Sequence, residues 1–391
     1  MNILFLATFP IVPHIGGVQR VTDTLAQELI RRGHNVVFLC HSREHLMSWK
    51  GFAAPQYIVK TEGREDKDIA YDIQKITLRH HITHVINQTA NKATITQVRN
   101  MPPNIKVVFC CHVVPFNADD ITRRKIWLMS AKSAKAKAFK LCSLLFPPIY
   151  KHFFNQAEKQ VFIESIPICD KYCFVSRRLW PRVLRHIPAF PIEKLTAINN
   201  PNSFPFQNAI IPYDQRENAI VWIGRLESNL KNLQDFLKVW KLFSSIHPEW
   251  VSYIVGDGNE AASFKELSRN MGLQNILFEG NQVDTSRYYK KCKLACITSL
   301  SESWCMVLTE AMTFGCVPVV MNTYSTLTEI IDNGINGIIT PPTPHDMAKE
   351  LTSIASSRLL WERLSKNAKE KAQKYDVKKI ASEWEGLLSS I

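Results

Sequence analysis

"VQRVTDTLAQELIRRGHNVVFLC", residues 18 to 40, decides the fold. Val18, Val21, Leu25, Leu29 and Ile30 fall on one helical stripe, Gly33 supplies a stop, and residues 35 to 40 read as a strand. Ahead of it stand the buried-strand pattern "MNILFLATFP" (1 to 10) and the turn "HIGGVQR" (14 to 20). Together they spell a β-loop-α-β unit, the opening of a parallel doubly wound sheet. Apolar runs at 83 to 87, 105 to 111 and 171 to 176 continue the strand series. A first α/β domain with a Rossmann-like sheet therefore occupies residues 1 to 200.

At Asn199-Asn200-Pro201 the chain enters "NNPNSFPFQNAIIPYDQREN" (199 to 218), a Pro- and Asn-rich linker. Beyond it a second strand series runs at 219 to 223, 251 to 255, 276 to 279, 294 to 298 and 317 to 321, giving a second Rossmann-like domain over 201 to 375. The last stretch, "RLLWERLSKNAKEKAQKYDVKKIASEWEGLLSSI" (358 to 391), is helical, and its end from 376 to 391 is expected to return to the first domain. Two such sheets place a ligand cleft at the carboxyl ends of their strands.

A chain of 391 residues exceeds one ordinary core, and 46% hydrophobic with 21% charged residues describes an ordered protein. No apolar run is long enough to span a membrane, and the first residues lack the basic flank and cleavage site of a signal peptide, so a cytoplasmic location is expected. The ten cysteines include Cys110/Cys111, Cys169/Cys173 and Cys292/Cys296 but no Cys-x-x-Cys and no zinc spacing with histidine, which reads as small buried residues in a reducing compartment. The net charge of +13 lies in the first half, where residues 1 to 200 hold 28 Lys and Arg against 14 Asp and Glu. That asymmetry points to an anionic partner for one domain.

Several short motifs sit where a strand meets a helix. Gly16-Gly17 allows close backbone approach beside a helix N-terminus, although the spacing is not G-x-G-x-x-G and a simple tight turn fits equally. His112 ends the strand "KVVFCCH", on the binding face of an open sheet or as a structural histidine. In "VWIGRLESNLKNL" (221 to 233), Arg225 and Lys231 suit a diphosphate, or are solvated bases at a helix start. The turn "VGDGNE" (255 to 260), with Gly256, suits approach to a planar base. In "LSESWCMVLTEAMTFGCVPVV" (300 to 320), Glu302 falls in the loop before a helix and Glu310 two turns inside it.

In this order, Gly16-Gly17, His112, Gly224-Arg225 with Lys231, and Glu302-x7-Glu310 followed by "EAMTFGCVPVV" through Glu329, Gly334 and Gly337, the set resembles the family 4 glycosyltransferases of the GT-B fold over nearly the whole chain. The resemblance implies a retaining, metal-independent transferase using a nucleotide-diphosphate sugar, with a UDP-sugar favoured over a GDP-sugar and no further cofactor. It implies that Arg225 and Lys231 hold the diphosphate, that Glu310 accepts from the ribose hydroxyls, and that Glu302 contacts the donor sugar near the reacting carbon. Backbone N–H groups of Cys305, Met306 and Val307 would cap the phosphates, His112 would stand beside the sugar, and Gly17 near the phosphates. No Asp-x-Asp metal motif stands in the expected region. One departure matters: Ser303-Trp304-Cys305 replaces the usual Gly-Phe-Gly after the first glutamate, which is expected to alter the donor pocket.

Residues 121 to 151, "ITRRKIWLMSAKSAKAKAFKLCSLLFPPIYK", carry Arg123, Arg124, Lys125, Lys132, Lys135, Lys137, Lys140 and Lys151 with no acid, interleaved with apolar residues. Two readings stay open: a helix docked on the anionic inner face of a cell membrane, near a lipid-linked acceptor, or a solvated helix packed on its own domain. The leading function is sugar transfer to a saccharide or lipid-linked acceptor in lipopolysaccharide, capsule or exopolysaccharide biosynthesis. The alternatives are a nucleotide-sugar epimerase on the same fold, a non-catalytic subunit, and a basic nucleic-acid-binding protein, for which no recognition motif accompanies the charge.

Overall fold

The computed structural model describes residues 1–41, 51–120, 126, 133–206, 209–228 and 230–391. It divides into two compact units, Met1–Ser203 together with Val377–Ile391, and Phe204–Asp376.

The first unit holds a seven-stranded parallel sheet of β1 (Asn2–Ala7), β2 (Asn35–Cys40), β3 (Gln56–Ile58), β4 (His84–Asn87), β5 (Lys106–Cys111), β6 (Lys171–Phe174) and β7 (Leu195–Ala197). Their order across the sheet is β3-β2-β1-β4-β5-β6-β7. The second unit holds β8 (Glu217–Ile223), β9 (Val251–Val255), β10 (Ile276–Gly280), β11 (Cys292–Ile297), β12 (Val317–Met321) and β13 (Ile338–Thr340), in the order β10-β9-β8-β11-β12-β13. Each chain segment starts mid-sheet, walks to one edge, then crosses back to build the other side. The order therefore reverses between β1 and β4 and again between β8 and β11, and those are the switch points where ligands bind in doubly wound sheets.

β3, β7 and β13 lie outside the strand series read from the sequence. Each is three residues long, too short for periodicity to register. The central strands are different: β1 reads buried from Ile3 to Leu6, with Phe5 in register with Phe38 of β2 and Ile86 of β4. A strand covered on both faces reads as a continuous apolar run.

The helix Gly17–Arg31 buries Val21, Leu25, Ala26 and Leu29. Ile30, expected on that stripe, is exposed, because it follows Leu29 by one residue and so points about 100° round the helix. The stop at Gly33 has φ +89, the left-handed conformation that suits glycine, and its N–H donates to Ile30 O at 2.9 Å.

The C-terminal helix Val377–Ser389 packs against Gly17–Arg31, burying Ile380, Ala381, Trp384 and Leu388 in the core shared with β1, β2 and β4. Its ion pairs are specific: Glu385 meets Arg32 at 2.5 Å and His34 at 2.7 Å. Trp384→Ala is expected to destabilise the first unit by about 3 kcal/mol or more through lost burial and a cavity. Equilibrium urea unfolding checks this, and a loss under about 1 kcal/mol would mean that the terminal helix is not part of that core.

Candidate functional site

At the second switch point the loop after β8 runs through Gly224, Arg225 and Lys231 into the helix Leu233–Ser244. The loop after β11 runs through Glu302 into the helix Met306–Thr313. The buried Thr298 side chain ties the two loops: its hydroxyl reaches both Lys231 O and Asn232 O at 3.0 Å and accepts from Trp222 Nε1 at 3.0 Å. The Leu300 N–H donates to Leu230 O at 2.7 Å. Asn232, the helix cap, sits at φ +54, where asparagine is better tolerated than most residues, and its side chain donates to Asp235 at 2.9 Å.

Lys231 Nζ and Glu302 Oε1 lie 2.5 Å apart. Burial is the largest influence on Lys231 and works against its charge, but the Glu302 carboxylate outweighs it and holds the ammonium above the usual lysine range. Arg225 is exposed and pairs with Glu227 at 3.3 Å.

The turn after β9 presses against this loop. Gly224 N–H donates to Val255 O and Leu226 N–H to Asp257 O, both at 3.0 Å. Gly256 adopts φ +133, and a Cβ there would lie 2.0 Å from the Gly224 carbonyl oxygen. Only glycine fits such an approach.

Cys305 caps the helix Met306–Thr313 without a side-chain cap bond. Cys305, Met306 and Val307 stand at its first positions, where backbone N–H groups have no acceptor within the helix and favour an anion. The Cys305 thiol is buried and pushed up to about 12 by desolvation, which makes it a neutral filler and not a nucleophile. Trp304 is buried edge-on against Tyr375, ring centroids 5.1 Å apart. Glu310 is buried in the middle of the helix and accepts from the Tyr289 hydroxyl at 2.9 Å. The carbonyls of Tyr289 and Cys292 each accept from the buried Arg216 at 2.8 Å.

At the first switch point Gly16 caps the helix that Gly17 begins. Gly16 has extended backbone, and a Cβ there would meet only the Gln19 side chain. Thr8, after β1, bonds through its backbone N–H and its hydroxyl to the Thr89 hydroxyl after β4, at 3.0 and 2.9 Å, and Asn91 Nδ2 donates to Thr8 Oγ1 at 2.7 Å. His112 follows β5 directly, donates from Nε2 to Gln88 Oε1, and lines a small cavity with Gln88, Asn199 and Trp384. Burial pushes its pKa down to about 4, so the ring is neutral at physiological pH.

The second unit thus carries Arg225, Lys231, Gly256, Glu302, Cys305, Met306, Val307 and Glu310 on the segments that follow β8, β9 and β11, and the first carries Gly16 and Gly17 after β1 and His112 after β5. Thr298, Tyr289 and Gln88 escaped the sequence reading; the one available signal was a threonine ending an otherwise apolar strand. Of the basic insert, Arg123, Arg124, Lys125 and Lys132 lie outside the described residues, and Lys135, Lys137 and Lys140 sit on the helix Ala134–Leu145. Cys142 on that helix is exposed, unlike the other nine cysteines, because it lies outside both sheet cores.

Two doubly wound units with glycine turns and helix N-termini at their switch points define the GT-B architecture. The profile "Glycosyltransferase Family 4" matches residues 15–201 and "Glycosyl transferases group 1" matches 203–371. The chain belongs to the family 4 type of glycosyltransferases. Among its relatives are an uncharacterized glycosyltransferase of Haemophilus influenzae, 26% identical over 57% of this chain and 62% of that protein, and the lipopolysaccharide 1,6-galactosyltransferase of Salmonella typhimurium, 25% identical over 54% and 59%. A third is the GalNAc-alpha-(1->4)-GalNAc-alpha-(1->3)-diNAcBac-PP-undecaprenol alpha-1,4-N-acetyl-D-galactosaminyltransferase of Campylobacter jejuni, 23% identical over 51% and 56%. The chain spans little more than half the length of these curated relatives. HepE of Anabaena, solved in complex with UDP, superposes over 100% of both chains with a TM-score of 0.75 at 16% identity, which establishes the shared fold.

The His112 shift has a sign that can be measured. Above 6.5 the residue is neutral whether folded or not; as pH falls from 6.5 towards about 4 the unfolded chain takes up a proton that the folded protein refuses, and stability is lost. Urea unfolding across that window is expected to show a steeper decline for wild type than for His112→Gln. Parallel profiles would mean that the ring titrates normally.

Proposed function

We propose that the protein transfers a sugar, with retention and without a metal ion, from a UDP-sugar to a saccharide or lipid-linked acceptor in the assembly of lipopolysaccharide, capsule or exopolysaccharide. It would work in the cytoplasm, peripheral to the inner face of the membrane. The observation that carries the reading is the Lys231–Glu302 pair at the second switch point, on loops fastened by Thr298 and beside the helix that starts at Met306.

Breaking the bond between sugar and diphosphate places negative charge on the leaving group and positive charge on the ring. Lys231, kept protonated despite burial by its contact with Glu302, turns to the diphosphate with Arg225, and the N–H groups of Cys305 to Val307 complete the anion cradle. Once its lysine engages phosphate, Glu302 is released to accept from a hydroxyl of the donor sugar. The acceptor oxygen bonds to the anomeric carbon on the face the diphosphate leaves, and its proton passes to the departing phosphate oxygen. The neutral ring of His112 suits hydrogen bonding to a sugar hydroxyl without adding charge. Glu310, steadied by Tyr289, takes the ribose hydroxyls, and the turn at Gly256 lies close to the base.

The UDP carried by the Anabaena neighbour supports the choice of nucleotide, and the undecaprenol and lipopolysaccharide substrates named for the relatives support the acceptor class. Thermal unfolding with a panel of nucleoside diphosphates and nucleotide-sugars tests the donor site. A uridine nucleotide is expected to raise the melting temperature, and Arg225→Ala/Lys231→Ala to weaken its binding about a hundredfold, for two lost charge-assisted contacts. No shift with any nucleotide, or equal shifts in the double variant, would overturn the assignment.

A further inference from the structure

The helices Ala134–Leu145 and Pro147–Ser165 pack on each other through Phe139, whose ring centroid lies 6.0 Å from Tyr150, 5.7 Å from Phe153 and 6.1 Å from Phe154. That contact uses only part of the apolar surface. Leu141 and Leu145, one turn apart, Phe146 at the corner, and Ile149 and Phe153, one turn apart on the second helix, remain exposed, Phe146 by 63% and Phe153 by 60%. Lys135 and Lys137 are exposed on the same pair of helices, and the sequence has no Asp or Glu from 121 to 157. The root of the pair is held firmly: Lys151 Nζ donates to Asp119 O and Asn155 Nδ2 to Asp119 Oδ1, both at 2.8 Å, while His186 meets Asp119 Oδ2 at 2.8 Å. A fixed base thus presents an apolar, cationic tip.

We infer that this tip docks on an anionic lipid bilayer, with Leu145, Phe146, Ile149 and Phe153 entering the headgroup boundary and Lys135 and Lys137 meeting lipid phosphates. Among the described residues no helix is long and apolar enough to cross a membrane, so the contact is interfacial. A nucleic acid would use the lysines and the rings but leave Leu141, Leu145 and Ile149 in water. A second copy of this chain would bring the same positive charge against itself, which opposes association. An anionic bilayer satisfies both the charge and the aliphatic surface. The inference deepens the peripheral placement proposed above and rests on that reading for its purpose, yet its test needs no donor.

The test is co-sedimentation of the full chain, without nucleotide, with vesicles of equal parts phosphatidylglycerol and phosphatidylcholine or of phosphatidylcholine alone. Wild type is expected to bind the anionic vesicles preferentially and less at high salt. Lys135→Glu/Lys137→Glu is expected to weaken binding about tenfold or more. Leu145→Ser/Phe146→Ser/Ile149→Ser, which spares the ring cluster around Phe139, is expected to weaken it even at low salt, with melting temperature and nucleotide binding unchanged as the control for folding. No binding to anionic vesicles, wild-type binding by both variants, preference for nucleic acid in a gel shift, or a dimer that the serine variant dissociates would each overturn the inference. Vesicle binding by a protein that binds no nucleotide would leave it standing and count against the transferase reading.

Discussion

The hydroxyl of Thr298 is the point on which the second unit's site depends. Parallel strands bring their carboxyl ends to one edge, but β8 and β11 send their crossovers in opposite directions and nothing in the sheet alone fixes one loop against the other. A buried hydroxyl must find partners, and Thr298 finds Lys231 O, Asn232 O and Trp222 Nε1 together. The loop carrying the cation is thereby fastened to the strand that leads to the carboxylate. With the backbones fixed, Lys231 and Glu302 meet as a consequence of their offsets from Thr298 and β11. The pairing also answers the cost of half-burying an ammonium: the carboxylate holds the charge in place before any anion arrives.

Close backbone approach is the second constraint. Gly256 sits so near the Gly224 carbonyl that no side chain is admitted, and Gly258 repeats the pattern, with a Cβ falling 2.5 Å from Leu226 O. These glycines are dense because the turn after β9 is pressed directly on the loop after β8. Gly16, by contrast, has ordinary extended backbone, and a Cβ there would press only on the end of the flexible Gln19 side chain, so no backbone of its own unit demands a glycine beside the first helix.

Much of this was legible in the sequence. The buried central strands announce themselves as apolar runs, and the polar residues of the site stand out because they follow such runs beyond the strand ends, as His112 does after β5 and Glu302 after β11. The resemblance to the glycosyltransferases rested on the same residues. What escaped was whatever depends on partners distant in sequence. Gln88 and Tyr289 look like ordinary polar and aromatic residues until folding sets them against His112 and Glu310. Ile30 was misplaced because a stripe drawn by spacing tolerates an error of 100°, whereas packing does not. Ser303-Trp304-Cys305 was expected to alter the donor pocket through the larger Cys305; of the three, Trp304 has its ring buried against Tyr375 from the end of the second unit and so belongs to core packing.

Positive charge is used in two physically different ways in this chain. In the second unit the cations of the site are already paired, Lys231 with Glu302 and Arg225 with Glu227, so an incoming anion exchanges one partner for another. Such exchange favours a ligand with more than one negative oxygen, since it must outcompete a carboxylate already at contact distance. In the first unit the lysines at 135 and 137 stand in a stretch without any carboxylate, and they make no ion pair among the described residues. Their field is not cancelled locally, and it reaches about 8 Å into solvent at physiological salt. Paired charge selects a ligand by geometry at short range, and unpaired charge collects an extended anionic surface at longer range. The contrast arises because acidic residues are distributed unevenly in the sequence, standing beside the cations at the second switch point and missing from residues 121 to 157.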